Sequence, residues 1–333
     1  MKAQPPSSII EAIPNISEGR DAGLIKEITD ELSSVPAVQL LHVDMGKDAH
    51  RTVITYVGNP LSVLEATRKL YSIVSESIDM TTHHGAHPRI GAVDVCPFVP
   101  ISGISQDELI PLVDQFSRDI AEEYKLPVFM YEASANVPRR KNLSIIRSGE
   151  YEGLTEKLKS PEWLPDYGPT IRSETLGASV IGVRNFLIAY NINLDTKDTE
   201  IAKAIAKSIR TSGGMVNGVK KPGLLKAVKA IGWYMEQYGC AQVSTNLTDY
   251  KSTGMGEVYQ VVQDLAKNHG VAVTGSELIG LIPQEAIVKA GKTLAAESLS
   301  EKEYIDLAHV SLGLSSVVAF NPDERIIERL IKI

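Results

Sequence analysis

The stretch Thr82-His-His-Gly-Ala-His-Pro-Arg-Ile-Gly-Ala-Val-Asp-Val-Cys96 joins two different patterns. Its first half is a polar loop shaped by a glycine and a proline, and its second half begins an apolar run typical of a buried strand. A strong helix pattern over 60–76 precedes it. A loop that leads into a strand is where α/β proteins often place reactive groups. The stretch therefore predicts an α/β protein with a histidine-rich functional loop.

Helix and strand patterns alternate on both sides of this stretch, which is the signature of an α/β fold. The alternation breaks from Glu132 to Thr175, where prolines at 161, 165 and 169 interrupt any helix. The break predicts two α/β blocks, which we place at residues 1–176 and 177–333. Within the second block, 177–193 has the pattern of one strand, and 226–236 with 241–248 that of an antiparallel pair.

The composition is that of an ordinary soluble globular chain. The 333 residues include 34 Lys and Arg against 41 Asp and Glu, so the formal net charge of −7 disfavours general nucleic-acid binding. Two cysteines, no apolar leader at the start and no apolar run near the ~20 residues that span a bilayer predict a cytoplasmic protein. We expect no nucleic-acid or membrane partner, and we expect a homodimer.

The charge is unevenly distributed. One segment without Asp or Glu contains seven cations: Lys203, Lys207, Arg210, Lys220, Lys221, Lys226 and Lys229. The first three have the spacing of a solvated helix stripe. The loop 212–223 has four glycines, which permit close approach to a ligand, but it lacks the spacing of a P-loop. It is either an anion-binding lid that uses Lys220 and Lys221 or an ordinary flexible loop.

Five of the seven histidines lie between His42 and His87, and three interpretations compete. The rings can be structural, they can bind a metal through His83, His84 or His87, or one of them can act as a metal-free acid and base. An imidazole with a pKa near 6.5 suits proton transfer near neutrality. The helical zinc-protease motif is absent. The individual roles of His42, His83 and His84 stay open.

Two carboxylates are candidate partners for these rings. Asp44 ends an aliphatic run. Three alternative roles are open to it there: it can terminate the strand, orient an imidazole or neutralise a cationic group. Asp94 lies inside an apolar strand, and a buried carboxylate is costly unless it is paired. We expect Arg89 or a histidine to be the partner of Asp94.

The ordered motifs together resemble the glutamate formiminotransferase family, the folate-dependent one-carbon transferases of histidine degradation. The resemblance runs through nearly the whole chain and includes Ile13-Pro-Asn-Ile-Ser-Glu-Gly-Arg20, His84-Gly-Ala-His-Pro-Arg-Ile-Gly-Ala-Val-Asp-Val-Cys-Pro-Phe98, Asp166-Tyr-Gly-Pro169, Phe186-Leu-Ile-Ala-Tyr-Asn-Ile-Asn-Leu194, Ile231-Gly-Trp-Tyr234 and Ala241-Gln-Val-Ser-Thr-Asn246. It implies an α/β fold of the α+β sandwich type with two subdomains. Each has a mixed sheet with helices on its outer face, and the sheets face each other across a ligand tunnel.

The resemblance also implies site residues. The catalytic histidine of the family matches His87, and its partnering aspartate matches Asp44. The folate-contacting stretch matches 168–177, which contributes Gly168, Pro169, Arg172 and Gly177. Lys220 and Lys221 are further candidates for folate contact, and Arg51, Arg89 and Arg184 are candidates for binding substrate carboxylates. In some animals the domain is fused to a cyclodeaminase, and we expect that second activity to be absent here.

The implied reaction transfers a formimino group from N-formimino-L-glutamate to N5 of tetrahydrofolate, which is expected to be polyglutamylated. His87 would take the proton from N5 and return it to the departing amine, without a metal. Asp44 would either hold the tautomer of His87 or balance the amidinium charge. The alternatives are formyl exchange between glutamate and 5-formyltetrahydrofolate, a metal-dependent hydrolase built on the histidines, and a non-catalytic folate-binding protein.

Overall fold

The computed structural model describes residues 8–216 and 218–332. The expected absence of an N-terminal leader concerns residues 1–7, which lie outside the described residues, as does position 217 in the glycine-rich loop. The chain divides into two compact units, one comprising residues up to Arg184 together with 331–332 and the other Asn185–Leu330. The α/β class predicted from the sequence is confirmed.

The first unit is built on a mixed sheet of seven strands. The strands are β1 (Ile9–Ala12), β2 (Asn15–Ile16), β3 (Val38–Gly46), β4 (Arg51–Gly58), β5 (Val93–Ser102), β6 (Val128–Met130) and β7 (Ser179–Val183). The pairings among β1 to β5 are antiparallel, whereas β5–β7 and β6–β7 are parallel. The helices are α1 (Ala22–Ser34), α2 (Pro60–Ser77), α3 (Gln106–Glu123), α4 (Leu143–Ile146) and α5 (Glu150–Leu158), with short 3-10 turns at Glu132–Ser134, Pro138–Lys141 and Pro161–Trp163.

The helices of the first unit begin where the sequence supplies caps. Asn59 accepts the backbone N–H of Ser62, and Pro60 occupies the first helical position of α2. At α3, Ser105 and Glu108 form the predicted capping box. Apolar side chains of α1, α2 and α3 pack with the sheet in one continuous core. This packing leaves the opposite face of the antiparallel strands for other groups.

The second unit has a four-stranded antiparallel sheet in the order β11-β12-β8-β13 rather than the expected mixed sheet. Its strands are β8 (Ile188–Leu194), β9 (Gly214–Val216), β10 (Val219–Lys221), β11 (Val228–Met235), β12 (Cys240–Leu247) and β13 (Val273–Ile279), of which β9 and β10 form a separate hairpin. The helices are α6 (Thr199–Ile209), α7 (Met255–Asn268), α8 (Gln284–Leu294), α9 (Glu301–Ser311), α10 (Pro322–Arg325) and α11 (Ile327–Leu330), with a 3-10 turn at Glu236–Tyr238. The predicted antiparallel pair is confirmed as β11 and β12.

The single strand predicted over 177–193 is wrong, because the chain forms two strands there. β7 pairs with β5 and β6 of the first unit, whereas β8 pairs with β12 and β13 of the second. The boundary between the compact units therefore falls after Arg184 instead of at the 176/177 position that we placed from the sequence.

Close backbone packing at Gly91 fixes the end of the histidine loop. A Cβ at Gly91 would lie 2.0 Å from the carbonyl oxygen of Ala178 and 2.5 Å from that of Leu176. Gly91 and Gly177 form an isolated bridge, and Gly177 has a φ of +71°. Only glycine allows the two segments to approach this closely.

Replacement of Gly91 by alanine should lower the free energy of unfolding by about 1–3 kcal/mol, because the added methyl group meets backbone that cannot move aside. Gly153→Ala is the matched control: Gly153 lies within α5, and a Cβ there meets open space. That control should be stabilising by about 0.5–1 kcal/mol. Urea unfolding of both variants measures the difference, and equal stabilities would contradict the packing described at Gly91.

Candidate active site

A polar face of the first sheet carries the candidate residues. On β4, Ile54 and Tyr56 are fully buried in the helix-covered core. Arg51 alternates with them and therefore points to the opposite face. Asp44 on β3 pairs with Val53, two residues from Arg51 on the same face, so Asp44 and Arg51 are diagonal neighbours.

Asp94 is the centre of an ion cluster on this face. Its side chain is fully buried, and its Oδ2 lies 2.6 Å from Nη1 of Arg51. Arg147 donates from Nη2 to the same oxygen and from Nε to Oδ1 at 3.3 Å. The backbone N–H of Ile90 donates to Oδ1 at 2.9 Å. The expectation that Arg89 or a histidine would pair with Asp94 is therefore wrong.

The cluster carries a net positive charge, because two guanidinium groups share one carboxylate. Burial raises the pKa of Asp94, but Arg147 and Arg51 outweigh burial and lower it to about 2. Burial also lowers the pKa of Arg51 to about 10, which still leaves it charged at neutral pH. Asn15 accepts from Nε and Nη2 of Arg51 at 3.1 and 2.8 Å and fixes its orientation.

His87 lies next to this cluster as a neutral ring. Its Nδ1 is 2.8 Å from the carbonyl oxygen of Pro88. A carbonyl can only accept, so Nδ1 carries the proton and Nε2 keeps its lone pair. Burial, together with the cations Arg51 and Arg147, lowers the pKa of His87 to about 3. The ring can therefore accept a proton at Nε2 once the surrounding charge changes.

His83 has a different role in the same loop. Its Nδ1 accepts from Nε of Arg89 at 3.2 Å, so its Nε2 carries the proton that reaches the carbonyl oxygen of His50 at 2.9 Å. Its ring stacks on His50 with centroids 4.3 Å apart. His50 in turn lies 3.3 Å from Glu18. Both ring nitrogens of His83 are used by the protein, which makes this residue a structural clamp.

Arg89 completes the clamp. It donates to both carboxylate oxygens of Glu152 at 2.7 and 2.8 Å, to Glu150 at 3.0 Å and to the carbonyl oxygen of His83 at 3.2 Å. Together with the bond to the His83 ring, these contacts use all five N–H donors of a guanidinium. The structure therefore ties Arg89 to protein acceptors rather than leaving it open to a substrate carboxylate. An open pocket of about 410 Å³ beside this clamp is lined by Glu150 and Glu152, which do not suit an anionic ligand.

The stretch 168–177 is hydrogen-bonded to both ends of the histidine loop. Met80 donates to the carbonyl oxygen of Thr175 at 2.8 Å, and Ala92 to that of Leu176 at 2.9 Å. Gly168, which precedes Pro169, has a φ of +83°, and a Cβ there would lie 2.1 Å from the carbonyl oxygen of Leu126. Backbone hydrogen bonds thus join the stretch 168–177 to the loop that carries His87.

Arg172 within this stretch is held by protein contacts. Its guanidinium lies 4.3 Å from the centroid of the Tyr151 ring and 3.0 Å from Glu174. Its buried Nε has no hydrogen-bond partner among the described residues.

The remaining candidates are one arginine of the first unit and two lysines of the second. Arg184 follows β7 and hydrogen-bonds Tyr131. Lys220 and Lys221 lie in the second unit on the exposed strand β10. The predicted solvated stripe is corrected in part: Lys207 donates to the carbonyl oxygen of Met215 and Arg210 to that of Gly213, both at 2.8 Å, so they support the hairpin.

Sequence reasoning missed Arg147, Asn15, His50 and Glu18. Arg147 lies in the segment that interrupts the sheet pattern, 53 residues from Asp94 along the chain. The signal available was the cost of a buried aspartate, which requires cations but does not say which ones. Asn15, His50 and Glu18 reach the site only through the pairing of β2 with β4, which the sequence does not show.

The histidines do not converge on a metal site. Within residues 8–216 and 218–332, no three His, Cys, Asp or Glu side chains are grouped so as to hold a metal ion. His83 uses both of its ring nitrogens, and His87 one of its two, for hydrogen bonds within the protein. These bonds explain the result, because a nitrogen that is already hydrogen-bonded is not available to a metal ion. In the same part of the chain, no helix is long and apolar enough to cross a membrane.

A neutral imidazole next to guanidinium groups can exchange a proton close to a bound anion. Comparison with known proteins identifies the family. The description "Formiminotransferase domain, N-terminal subdomain" matches residues 9–184, and "Formiminotransferase domain" matches residues 189–332. The chain belongs to the formiminotransferase family, which confirms the resemblance seen in the sequence.

Individual relatives agree with this assignment. The chain is 43% identical to the formimidoyltransferase-cyclodeaminase of Rattus norvegicus, over 98% of this chain and 60% of that protein. It is 41% identical to the glutamate formimidoyltransferase of Streptococcus pyogenes serotype M1, over 85% of this chain and 91% of that protein. It is 38% identical to the glutamate formimidoyltransferase of Thermoplasma acidophilum, over 86% of this chain and 91% of that protein. The chain thus spans about 60% of the length of the rat relative.

Replacement of Asp94 by asparagine should lower the free energy of unfolding at pH 7 by about 3–5 kcal/mol, because Arg51 and Arg147 lose their shared counter-ion. The folded-state pKa of Asp94 is depressed, so its contribution is present above the unfolded value near 3.9 and is lost as pH falls towards about 2. Urea unfolding between pH 7 and pH 2 should therefore show the two proteins converging at low pH. The control Asp264→Asn, at an exposed position on α7, should follow the wild type throughout. Equal stability of the Asp94 variant at pH 7 would contradict the pairing.

Proposed function

We propose that this protein transfers the formimino group of N-formimino-L-glutamate to N5 of tetrahydrofolate, giving 5-formiminotetrahydrofolate and L-glutamate. The observation that carries the proposal is the state of His87, whose Nδ1 proton is held by Pro88 while Nε2 is free to accept a proton. The names of the relatives support the formimino group as the cargo. They do not favour a formyl donor.

The transfer needs two proton movements, and one imidazole supplies both. N5 attacks the amidine carbon, a bond from N5 to that carbon forms, and Nε2 of His87 takes the N5 proton. The bond from the carbon to the glutamate nitrogen then breaks, and His87 returns the same proton to the departing amine. General acid and base catalysis of this kind contributes typically 10²–10⁴-fold to a rate.

Arg51 and Arg147 are proposed to bind a substrate carboxylate. The hydrogen bonds of Arg147 to Asp94 use its Nε and Nη2, so within the described residues Nη1 can serve an anionic ligand. A bound carboxylate would offset the excess positive charge of the cluster. The pKa of His87, which these cations depress, would then rise towards the range in which the ring is an effective base. Substrate binding would thereby activate the catalyst.

Asp44 is proposed to balance the positive amidinium, because the alternative role of holding the tautomer of His87 belongs to Pro88. Gly168, Pro169, Arg172 and Gly177 are proposed to contact the folate, with Lys220 and Lys221 on its glutamate tail. Arg184 is proposed to bind a substrate carboxylate, whereas the contacts of Arg89 favour a positioning role. The folate is proposed to be polyglutamylated.

Replacement of His87 by alanine should reduce turnover by roughly 10²–10⁴-fold, because the proton acceptor is lost. Binding of tetrahydrofolate should be largely retained. The measurement is single-turnover transfer with N-formiminoglutamate, together with titration of tetrahydrofolate.

His269→Ala, an exposed histidine at the end of α7, serves as the control and should leave both quantities unchanged. Wild-type turnover in the His87 variant would remove this residue from the mechanism. A wild-type protein that binds tetrahydrofolate without transferring the group would instead support a non-catalytic binding protein.

A further inference from the structure

The sheet of the second unit also has a polar face. On β8, Tyr190 and Ile192 are fully buried in the core beneath the helices. Asn191 and Asn193 alternate with them and therefore lie on the opposite face. Cross-strand pairing places Gln242 beside Asn193 and Glu277 beside Asn191 on that face.

A chain of hydrogen bonds fixes the amides on this face. The indole Nε1 of Trp233 donates to Gln242 at 2.9 Å, and Gln242 donates to Asn193 at 2.7 Å. Gln242 is fully buried and Asn193 is 1% exposed. These hydrogen bonds therefore fix the orientation of both amide side chains.

Glu277 is the charged group of this face, and it lacks a cation. Its side chain is 8% exposed, and its Oε1 accepts from the Tyr238 hydroxyl at 2.6 Å. Its Oε2 has only a long contact of 3.5 Å with Asn191. Among the residues that the structure describes, no Lys, Arg or His lies within ion-pair distance of it. A buried carboxylate in this state is costly, and its oxygens can accept further N–H donors.

A cavity of about 320 Å³ is lined by two neighbours of Glu277, although Glu277 itself is not one of its lining residues. Its walls include Asn193 from the amide chain and Tyr238, the hydrogen-bond partner of Glu277. Cys240, which also lines the cavity, is close enough to Glu277 for the carboxylate to raise the pKa of its thiol, in addition to the larger effect of burial. The volume is at the lower end of the range of ligand pockets.

We propose that Glu277 binds the 2-amino-4-oxopyrimidine edge of a reduced pterin, the ring system of the folate. This inference rests on the proposed function. The ring edge presents a ring N–H next to an exocyclic amino group, and two adjacent donors match the two oxygens of a carboxylate. Asn193, which lines the cavity, would be the nearest amide for the remaining polar atoms of the ring. A divalent cation would require more carboxylates than this face provides.

The test is Glu277→Gln, measured by calorimetric titration of tetrahydrofolate, of 6-methyltetrahydropterin and of p-aminobenzoylglutamate. Loss of the charged acceptor should weaken the first two ligands by about 10- to 100-fold. Binding of p-aminobenzoylglutamate and the KM for N-formiminoglutamate should stay unchanged. Tyr238→Phe, which removes the hydroxyl that orients Glu277 but keeps the ring, should show a weaker loss of the same selectivity and covers the case of a misfolded Glu277 variant.

Glu236→Gln is the matched control, because Glu236 is exposed on the neighbouring 3-10 turn. Three results would overturn the inference. A folded Glu277→Gln protein could bind the pterin normally, it could lose equal affinity for 6-methyltetrahydropterin and p-aminobenzoylglutamate, or it could show a raised KM for N-formiminoglutamate instead. Failure of the proposed function is distinguishable: a wild-type protein that binds the pterin through Glu277 but transfers nothing leaves the inference standing.

Discussion

The buried carboxylate of Asp94 is the constraint on which the first unit depends. It joins β5 to β4 through Arg51, to the segment before α5 through Arg147, and to the histidine loop through the backbone of Ile90. Two guanidinium groups for one carboxylate leave a residual positive charge, and a buried ion cluster of this kind is retained only where its geometry is tightly held. Burial and this residual charge together lower the pKa of His87, and the same charge is proposed to attract an anionic substrate. Structure and proposed chemistry therefore come from one interaction.

The histidine loop separates two roles that look alike in the sequence. Both ring nitrogens of His83 are hydrogen-bonded, one to Arg89 and one to the backbone of His50. In His87 only Nδ1 is hydrogen-bonded, to the carbonyl oxygen of Pro88, and Nε2 can accept a proton. Hydrogen bonds to the protein thus decide which ring is a clamp and which can exchange a proton. Glu152 and Glu150 hold Arg89, and Gly91 packs against 176–178, so the loop is fixed at both ends.

Local features were predictable from the sequence because their causes are local. The capping box at Ser105 and Glu108, the β11–β12 pair and the position of His87 in a loop before a strand all follow from neighbouring residues. The partner of Asp94 was not predictable, because Arg147 reaches it across the fold. The pattern of 177–193 predicts one strand, because both β7 and β8 are apolar and the transition at Arg184 carries no strong turn signal. A partner from a neighbouring strand, such as Asn15 for Arg51, can be predicted only when the register of the sheet is known.

His87 is proposed to be a neutral base whose pKa is lowered by burial and by the Arg51 and Arg147 cluster. The most direct measurement is ¹⁵N NMR of the ring nitrogens of His87, assigned by comparison with a His87→Gln variant, across pH in the absence and presence of saturating L-glutamate. We expect the Nδ1–H tautomer, a pKa of His87 well below the ordinary value near 6.5 in the free protein, and a rise in that pKa when glutamate is bound. An Nε2–H tautomer, or a pKa near 6.5 that does not respond to glutamate, would contradict this proposal.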